Sequence, residues 1–269
     1  MDLKAYFERI GYTKTPKVDF NTLNELHRLH TTSIPFENLN PFTYKEVPLD
    51  LETLERKMVQ GMRGGYCFEQ NILFSSALRE IGFKFKWLGA RVLWNQAEDL
   101  ITRRSHMLFL VDLENETYLA DVGFGGMTLT TPIKFKTDIV QKTTHEDFRI
   151  KNLQEDLILQ ANVGGEWKTI YRFDLTIQHL IDYEVANYYL YTNPTSHFRN
   201  MLIAAKPFEE GRLALSNNQF TIHWKGGKSE KVLFKSVDEI RNVLTEKFGI
   251  RLDGVSDLDS RLLALLNTL

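Results

Sequence analysis

The hydrophobic repeat of this chain changes at Gly82-Phe83, and that change constrains the fold more than any other feature. Before it, apolar residues recur every three to four positions, as on a helix; after it they alternate, as on a half-buried strand. Upstream, Asp19 is a candidate N-cap for a helix carrying Leu23, Leu26 and Leu29, with His27 and His30 diluting its apolar face. Asp50 opens a second pattern through Leu51, Leu54 and Met58, stopped by Gly61. Phe68, Ile72, Leu73, Ala77, Leu78 and Ile81 make a third, stopped by Gly82. Downstream, Phe83, Phe85 and Trp87, then Ala90 to Trp94, Met107 to Val111, Tyr118 to Val122, Asp156 to Gln160 and Trp167 to Phe173 read as short strands punctuated by turns. Such spacing predicts a compact sheet or small barrel. Ile177, Leu180, Ile181, Val185 and Tyr188 then trace a helix into Asn193-Pro194. The last part mixes strands near Leu213 to Leu215 and Phe220 to Trp224 with a helix opened by a capping box, Ser236 with Glu239, and stopped by Gly249.

Charge narrows the partners. Lysine and arginine number 33 against 35 acidic residues, a formal net charge of −2, and the two signs are interspersed. With no basic block, nucleic acid is not an expected partner. The opening Met1 to Glu8 lacks an apolar targeting segment and no apolar run reaches membrane-spanning length, so no membrane association is expected. A single cysteine in 269 residues excludes an internal disulfide, which makes the reducing cytoplasm the expected location. Oligomeric state is open.

That cysteine, Cys67, lies in Arg63-Gly64-Gly65-Tyr66-Cys67-Phe68-Glu69-Gln70-Asn71. A lone intracellular cysteine is ordinarily a small buried hydrophobe. Here two glycines free the backbone just before a predicted helix, so the thiol would meet unpaired N–H groups and the positive end of the helix dipole. Both favour the thiolate. Reactivity also needs a base and a group that orients it.

Seven histidines compete for the role of base. His27 and His30 are spaced to share a metal ion, but no third ligand has metal-site spacing; they read as a polar helix face, and no metal is expected. His106 stands out through its strand partner. A four-residue loop, Asp112 to Asn115, would pair Val111 with Glu116, Phe109 with Tyr118, Met107 with Ala120 and His106 with Asp121. Opposed Cβ atoms lie about 4.5–5.5 Å apart, close enough for a carboxylate to hold an imidazole N–H. The expected order is therefore Cys67 as nucleophile, His106 as base and Asp121 as orienter. Gly123-Phe124-Gly125-Gly126 follows directly, with glycines that allow close approach and an aromatic wall in Phe124.

A cysteine triad defines acyl chemistry without naming the acyl donor. Beyond the triad, the chain resembles the arylamine N-acetyltransferases. The matching segments are Ala5-Tyr6-Phe7-Glu8-Arg9-Ile10-Gly11, Ile34-Pro35-Phe36-Glu37-Asn38-Leu39, Arg63 to Glu69, Ser105-His106-Met107-Leu108, Ala120-Asp121-Val122-Gly123-Phe124-Gly125 and Asn193-Pro194-Thr195-Ser196-His197-Phe198. The last seventy or so residues match only in general pattern. The resemblance implies an α+β fold: an N-terminal helical bundle, a middle antiparallel β-barrel and a C-terminal α/β lid around a cysteine-peptidase-like triad core. The corresponding units would be residues 1–82, 83–175, a linker helix and loop over 176–200, and 201–269.

It also implies acetyl transfer from acetyl-CoA, as co-substrate, to arylamines, arylhydrazines and N-hydroxyarylamines through an acetyl-cysteine, in the setting of xenobiotic metabolism. Cys67, His106 and Asp121 fall on the family's catalytic positions, and Phe124 on one that lines the acceptor pocket. Glu37 and Arg63 resemble a supporting ion pair, although by themselves they read as solvated surface charges; Gly125 and Gly126 would also support the site. Thr102, Tyr189 and Thr195 fall on positions that contact coenzyme A in some members, where Arg103 replaces a glycine. Two other readings keep the triad or the scaffold: a transglutaminase- or peptidase-like acyl-transfer enzyme, and a non-catalytic ligand-binding protein. The Phe36 to Leu39 and Gly123 to Gly125 segments argue against the first, and an intact triad against the second.

Overall fold

A computed structural model describes residues 1–268. The chain opens with α1 (Leu3–Ile10) and α2 (Phe20–Ser33), each capped by an aspartate: Asp2 accepts from Ala5 N–H and Asp19 from Thr22 N–H. After the two-residue strand β1 (Phe36–Glu37) come short helices α3 (Leu39–Phe42) and α4 (Leu51–Leu54). The latter runs on as a π-helical turn over Glu55–Gln60. Helix α5 (Cys67–Ile81) is the central one: Cys67 to Leu78 are all buried, and Gly82 ends it with φ 106°, as its glycine predicts.

The alternating region folds as β2 (Lys84–Val92), β3 (Arg104–Leu113), β4 (Glu116–Ala120), β5 (Ile133–Lys134), β6 (Gln141–Lys142), β7 (Asp147–Leu153), β8 (Asp156–Val163) and β9 (Glu166–Ile177). They make one antiparallel sheet in the order β5-β4-β3-β2-β9-β8-β7-β6. Its two edge strands are stapled by Gln141, whose amide accepts from Lys134 N–H (2.7 Å) and donates to Lys134 C=O (2.9 Å). This nearly closes the barrel and protects edges that would otherwise stay open to pairing. Strand β7 was not anticipated, although Phe148 and Ile150 alternate with Arg149 and Lys151 and are fully buried.

The remainder comprises α6 (Leu180–Thr192), α7 (His197–Asn200), β10 (Ile203–Phe208), β11 (Gly211–Ser216), β12 (Gln219–Trp224), β13 (Ser229–Leu233), α8 (Val237–Asn242) and α9 (Leu258–Leu266). The fold is thus α+β, with helices first, a barrel second and an α/β unit last. Its last sheet, β1-β10-β11-β12-β13, begins with a strand from the N-terminal region. No described helix is long and apolar enough to cross a membrane.

Helix α6 departs from its sequence pattern. Ile177 ends β9 instead, and Ile181, Val185 and Tyr188 face outward. The buried face carries Tyr183, Asn187 and Leu190. Hydrogen bonds select it: Tyr183 Oη donates to Leu88 C=O (3.0 Å), Asn187 Nδ2 donates to Val47 C=O (2.8 Å), and Tyr66 Oη donates to Asn187 Oδ1. Polar groups that must be satisfied once buried have overridden the apolar stripe.

Candidate active site

Cys67 is the first residue of α5, with Tyr66 as its N-cap. Glu69, one turn on, reaches back to accept from Tyr66 N–H (3.0 Å) and pairs with Lys57 at 2.6 Å, which fixes the entry of the chain into the helix. The thiol is 4% exposed and points at the Ser105 carbonyl, 3.6 Å away. His106 is the next residue, and Cys67 is among the groups that raise its imidazole.

The hairpin register is corrected by two residues. Strands β3 and β4 turn over Glu114-Asn115 alone, so Leu113 pairs with Glu116, Val111 with Tyr118 and Phe109 with Ala120. Glu114 takes the left-handed conformation (φ 49°), and a two-residue loop matches strand twist better than the four-residue loop anticipated. A slip of two preserves the faces, since side chains alternate with period two. Met107, Phe109, Val111, Tyr118 and Ala120 face the helices; Leu108, Leu110 and Leu119 line the barrel interior. Asp121, just past the end of β4, reaches back across the pair, and its Oδ2 lies 2.7 Å from His106 Nε2.

The carboxylate is held on every side. Oδ1 accepts from Gly123 N–H (2.9 Å) and from Asn71 Nδ2 (3.1 Å). Thr128 Oγ1 donates to the Asp121 carbonyl (3.1 Å), and the Asp121 N–H donates to His27 Nε2 (3.4 Å). Asn71 was not singled out by sequence reasoning. It lies one turn after Cys67 on α5; its Nδ2 also donates to Met107 C=O (2.7 Å), and its Oδ1 accepts from Val122 N–H (3.0 Å). One buried amide thus ties the helix of Cys67 to the strand of His106 and the loop of Asp121. Gly123 is required by this packing, because a Cβ there would sit 2.7 Å from Asn71 Nδ2 and 2.8 Å from Cys67 Cα.

Burial alone would raise the Asp121 carboxyl and lower the His106 imidazole. Mutual attraction and hydrogen bonding outweigh it: Asp121 is held below the ordinary carboxylate range, and His106 is raised to about 10, helped by Cys67. Phe124 stands edge-on to the His106 ring at 5.2 Å and 5.7 Å from Tyr171. Gly125 has φ 85°, which brings the backbone against the Phe36 ring, while Gly126 faces open space.

A cleft of about 470 Å³ opens beside His106, lined by Gly89, Ser105, Asp182, Tyr183 and Tyr189 among others. The Arg103 guanidinium lies 4.6 Å over the Tyr189 ring at its mouth. Thr102 borders an adjoining groove with Arg103. Thr195 is exposed, with its Oγ1 bonded to Asn193 (2.8 Å), and lines neither.

Two sequence expectations are reversed. Glu37 and Arg63 are not solvated: Glu37 is fully buried and its Oε1 accepts from Arg63 Nε at 2.8 Å. Glu37 also accepts from Gly64 N–H (3.3 Å) and Leu39 N–H (2.7 Å), anchoring the loop before Cys67. Nor do His27 and His30 form a polar helix face; both are 0% exposed. His30 Nδ1 meets Tyr6 Oη at 2.9 Å and its Nε2 meets Gln70 Oε1 at 2.7 Å. Gln70 in turn donates to the Pro35 (2.7 Å) and Gly65 (3.2 Å) carbonyls.

Glu37→Gln should destabilise the chain by about 3–5 kcal/mol in urea unfolding at neutral pH, because it strands a buried guanidinium. Burial raises the Glu37 carboxyl, but Arg63 and Lys57 more than compensate, so it titrates below its ordinary 4.5. Its contribution is therefore present above that pH and lost as pH falls through the folded value, and Glu37→Gln should flatten that acid limb.

The buried Cys67, His106 and Asp121 form an arrangement suited to acyl chemistry, and comparison with known proteins gives the class. Residues 19–257 match the family model described as N-acetyltransferase. The arylamine N-acetyltransferase of Escherichia coli is 40% identical over 93% of this chain and 89% of its own length. The arylamine N-acetyltransferase / N-hydroxyarylamine O-acetyltransferase of Salmonella typhimurium is 38% identical over 95% of this chain and 90% of its own. The solved structure of the Mycobacterium marinum arylamine N-acetyltransferase in complex with CoA superposes with a TM-score of 0.94 at 35% identity, covering 99% of both chains. The chain belongs to the arylamine N-acetyltransferase family.

Proposed function

We propose that the protein transfers acetyl groups from acetyl-CoA to arylamines, arylhydrazines and N-hydroxyarylamines in two half-reactions through Cys67. The observation that supports this most directly is the buried line Cys67–His106–Asp121, braced by Asn71 at the start of α5. With Nε2 of His106 committed to Asp121, Nδ1 is the nitrogen left to exchange a proton with the thiol. A protonated His106 beside the sulfur favours the thiolate. The thiolate attacks the thioester carbonyl, and the N–H groups opening α5 offer donors for the tetrahedral oxyanion. The bond to the CoA sulfur breaks, CoA leaves with the proton from His106, and acetyl-Cys67 remains.

The acceptor nitrogen then attacks that thioester, His106 takes its proton, and the Cys67 thiolate returns. Aromatic amines suit the site because their low basicity leaves them neutral and nucleophilic, and Phe124 offers a face to stack on. Tyr189 and Thr102 border the cleft and its adjoining groove, where they would contact coenzyme A; Thr195 would join them from the loop after α6. Glu37, Arg63, Gly125 and Gly126 serve as support. Thiolate chemistry needs a reduced cysteine, consistent with a cytoplasmic enzyme acting on foreign aromatic amines.

Mixing the protein with acetyl-CoA alone tests this reading by intact-mass spectrometry. The expected result is one acetyl group on Cys67, discharged when an arylamine is added. No adduct, or one that persists in Cys67→Ser, would overturn it. A transglutaminase- or peptidase-like enzyme would leave acetyl-CoA untouched, and a binding protein would hold it without a mass change.

A further inference from the structure

Among the buried ionisable groups that the acetyl-transfer steps do not use, His27 touches the backbone of Asp121 itself. It faces inward from α2, wholly buried, with its ring edge-on to Phe74 at 5.6 Å. Its Nε2 accepts the Asp121 backbone N–H at 3.4 Å, and its Nδ1 has no partner in the structure. Since Nε2 accepts, the proton sits on Nδ1, so a buried donor is left unsatisfied. An apolar side chain packed against Phe74 would carry no such cost. What the imidazole adds is therefore found at the other nitrogen, on Asp121.

We propose that His27 is a positioning residue: a neutral imidazole that fixes the Asp121 backbone so that its carboxylate meets His106. This rests on the assignment of Asp121 as orienter. Without His27 the Asp121 N–H would be the one polar group of that residue left unpaired, since its carbonyl is held by Thr128 and its carboxylate by Gly123, Asn71 and His106. A buried, unpaired N–H seeks another acceptor, and rotation of the Asp121 peptide to find one would swing the carboxylate off His106. Burial also keeps His27 neutral, lowering its pKa to about 3, so it does not compete with His106 for the carboxylate. The α2 helix thus braces both halves of the site: His27 holds the orienter, and His30, through Gln70, holds the loop before the nucleophile.

The readout is the rate of Cys67 alkylation by iodoacetamide as a function of pH, which follows how well Asp121 supports a His106 cation beside the sulfur. The other ionisable groups packed around these residues are Tyr171 on β9 against Asp121, Tyr66 and Tyr183 beside Cys67, and His30 beside His27. Burial raises all three phenols and lowers His30 to about 3, so none titrates near neutrality. In His27→Leu the midpoint of the profile should move up by about one pH unit and kcat should fall roughly tenfold with KM unchanged. His27→Gln, whose Oε1 can accept where Nε2 does, should restore both to within about threefold.

Asp121→Asn is run in parallel. If it shifts the midpoint and His27→Leu does not, whatever the change in melting temperature, the positioning role is wrong and the triad stands. If Asp121→Asn itself leaves the profile unmoved, the orienter assignment fails first. Should His27→Leu not fold, His27→Gln decides alone: a native profile supports the role, and a displaced one overturns it.

Discussion

Cys67→Ser should lower acetyl transfer by about 10⁴-fold or more, with the fold and the affinity for acetyl-CoA retained. A hydroxyl is nearly the size of a thiol, so the packed start of α5 would accept it. The chemistry would not survive the exchange. His106, held as a cation by Asp121, sits beside an atom that must already be an anion to attack; a serine oxygen gives up its proton far less readily than sulfur. The proposed mechanism uses a sulfur anion beside the His106 cation, a role to which an alcohol oxygen is poorly suited. Turnover is followed with acetyl-CoA and an arylamine, and again with p-nitrophenyl acetate as a donor lacking the nucleotide. Both should fail together. Activity within tenfold of native with either donor would remove Cys67 as the residue that carries the acetyl group.

Asp121→Asn should cost about 10⁴-fold in kcat with little change in KM. Two donors, Gly123 N–H and Asn71 Nδ2, converge on Oδ1, so the asparagine oxygen will stay on that side. Its NH₂ then faces His106 Nε2, where Oδ2 now accepts. That forces the imidazole proton onto Nδ1, the nitrogen that must be free to take the proton of the acceptor amine. The loss is one of tautomer rather than of structure, so circular dichroism and melting temperature should change little while both half-reactions stall. A loss of less than tenfold would mean that His106 is oriented by something other than Asp121.

How much of this was readable from residues depended on how far apart the partners lie. The Asp caps, the Gly82 stop and the placement of Cys67 at a helix start rest on neighbours within a turn, and local physics determines them. The meeting of His106 with Asp121 came from a hairpin whose loop length was misjudged, yet the error was an even number of residues and the face survived it. An error of one would have hidden the pair. Glu37 with Arg63, and His27 with Asp121, could not be read that way. Their partners lie 26 and 94 positions away on other elements, and a charged side chain on a strand or loop, like an imidazole on a helix, reads as exposed unless something distant buries it. The outward stripe of α6 misled for the same reason: the hydrogen bonds that chose its buried face come from Leu88, Val47 and Tyr66.

The two residues of β1 bear on how late in synthesis the loop before Cys67 receives its last support. Glu37 N–H donates to the Gly65 carbonyl (3.1 Å), on the loop that delivers Cys67, while Phe36 and Glu37 pair with Ala205 and Ala204 of β10. Asn38 closes the same junction, donating to the Phe198 and Met201 carbonyls and accepting from Ile203 N–H. The strand that holds the loop before Cys67 is therefore itself paired with one made some 165 residues after Asn38. At a ribosomal pace of about 5–20 residues per second, a chain whose helices and barrel have already emerged would wait several seconds with its thiol loop held by Glu37, Glu69 and Gln70 but with β1 unpaired on its other side. Docking of β10 as it leaves the exit tunnel would add the last of these contacts, from the far side of β1.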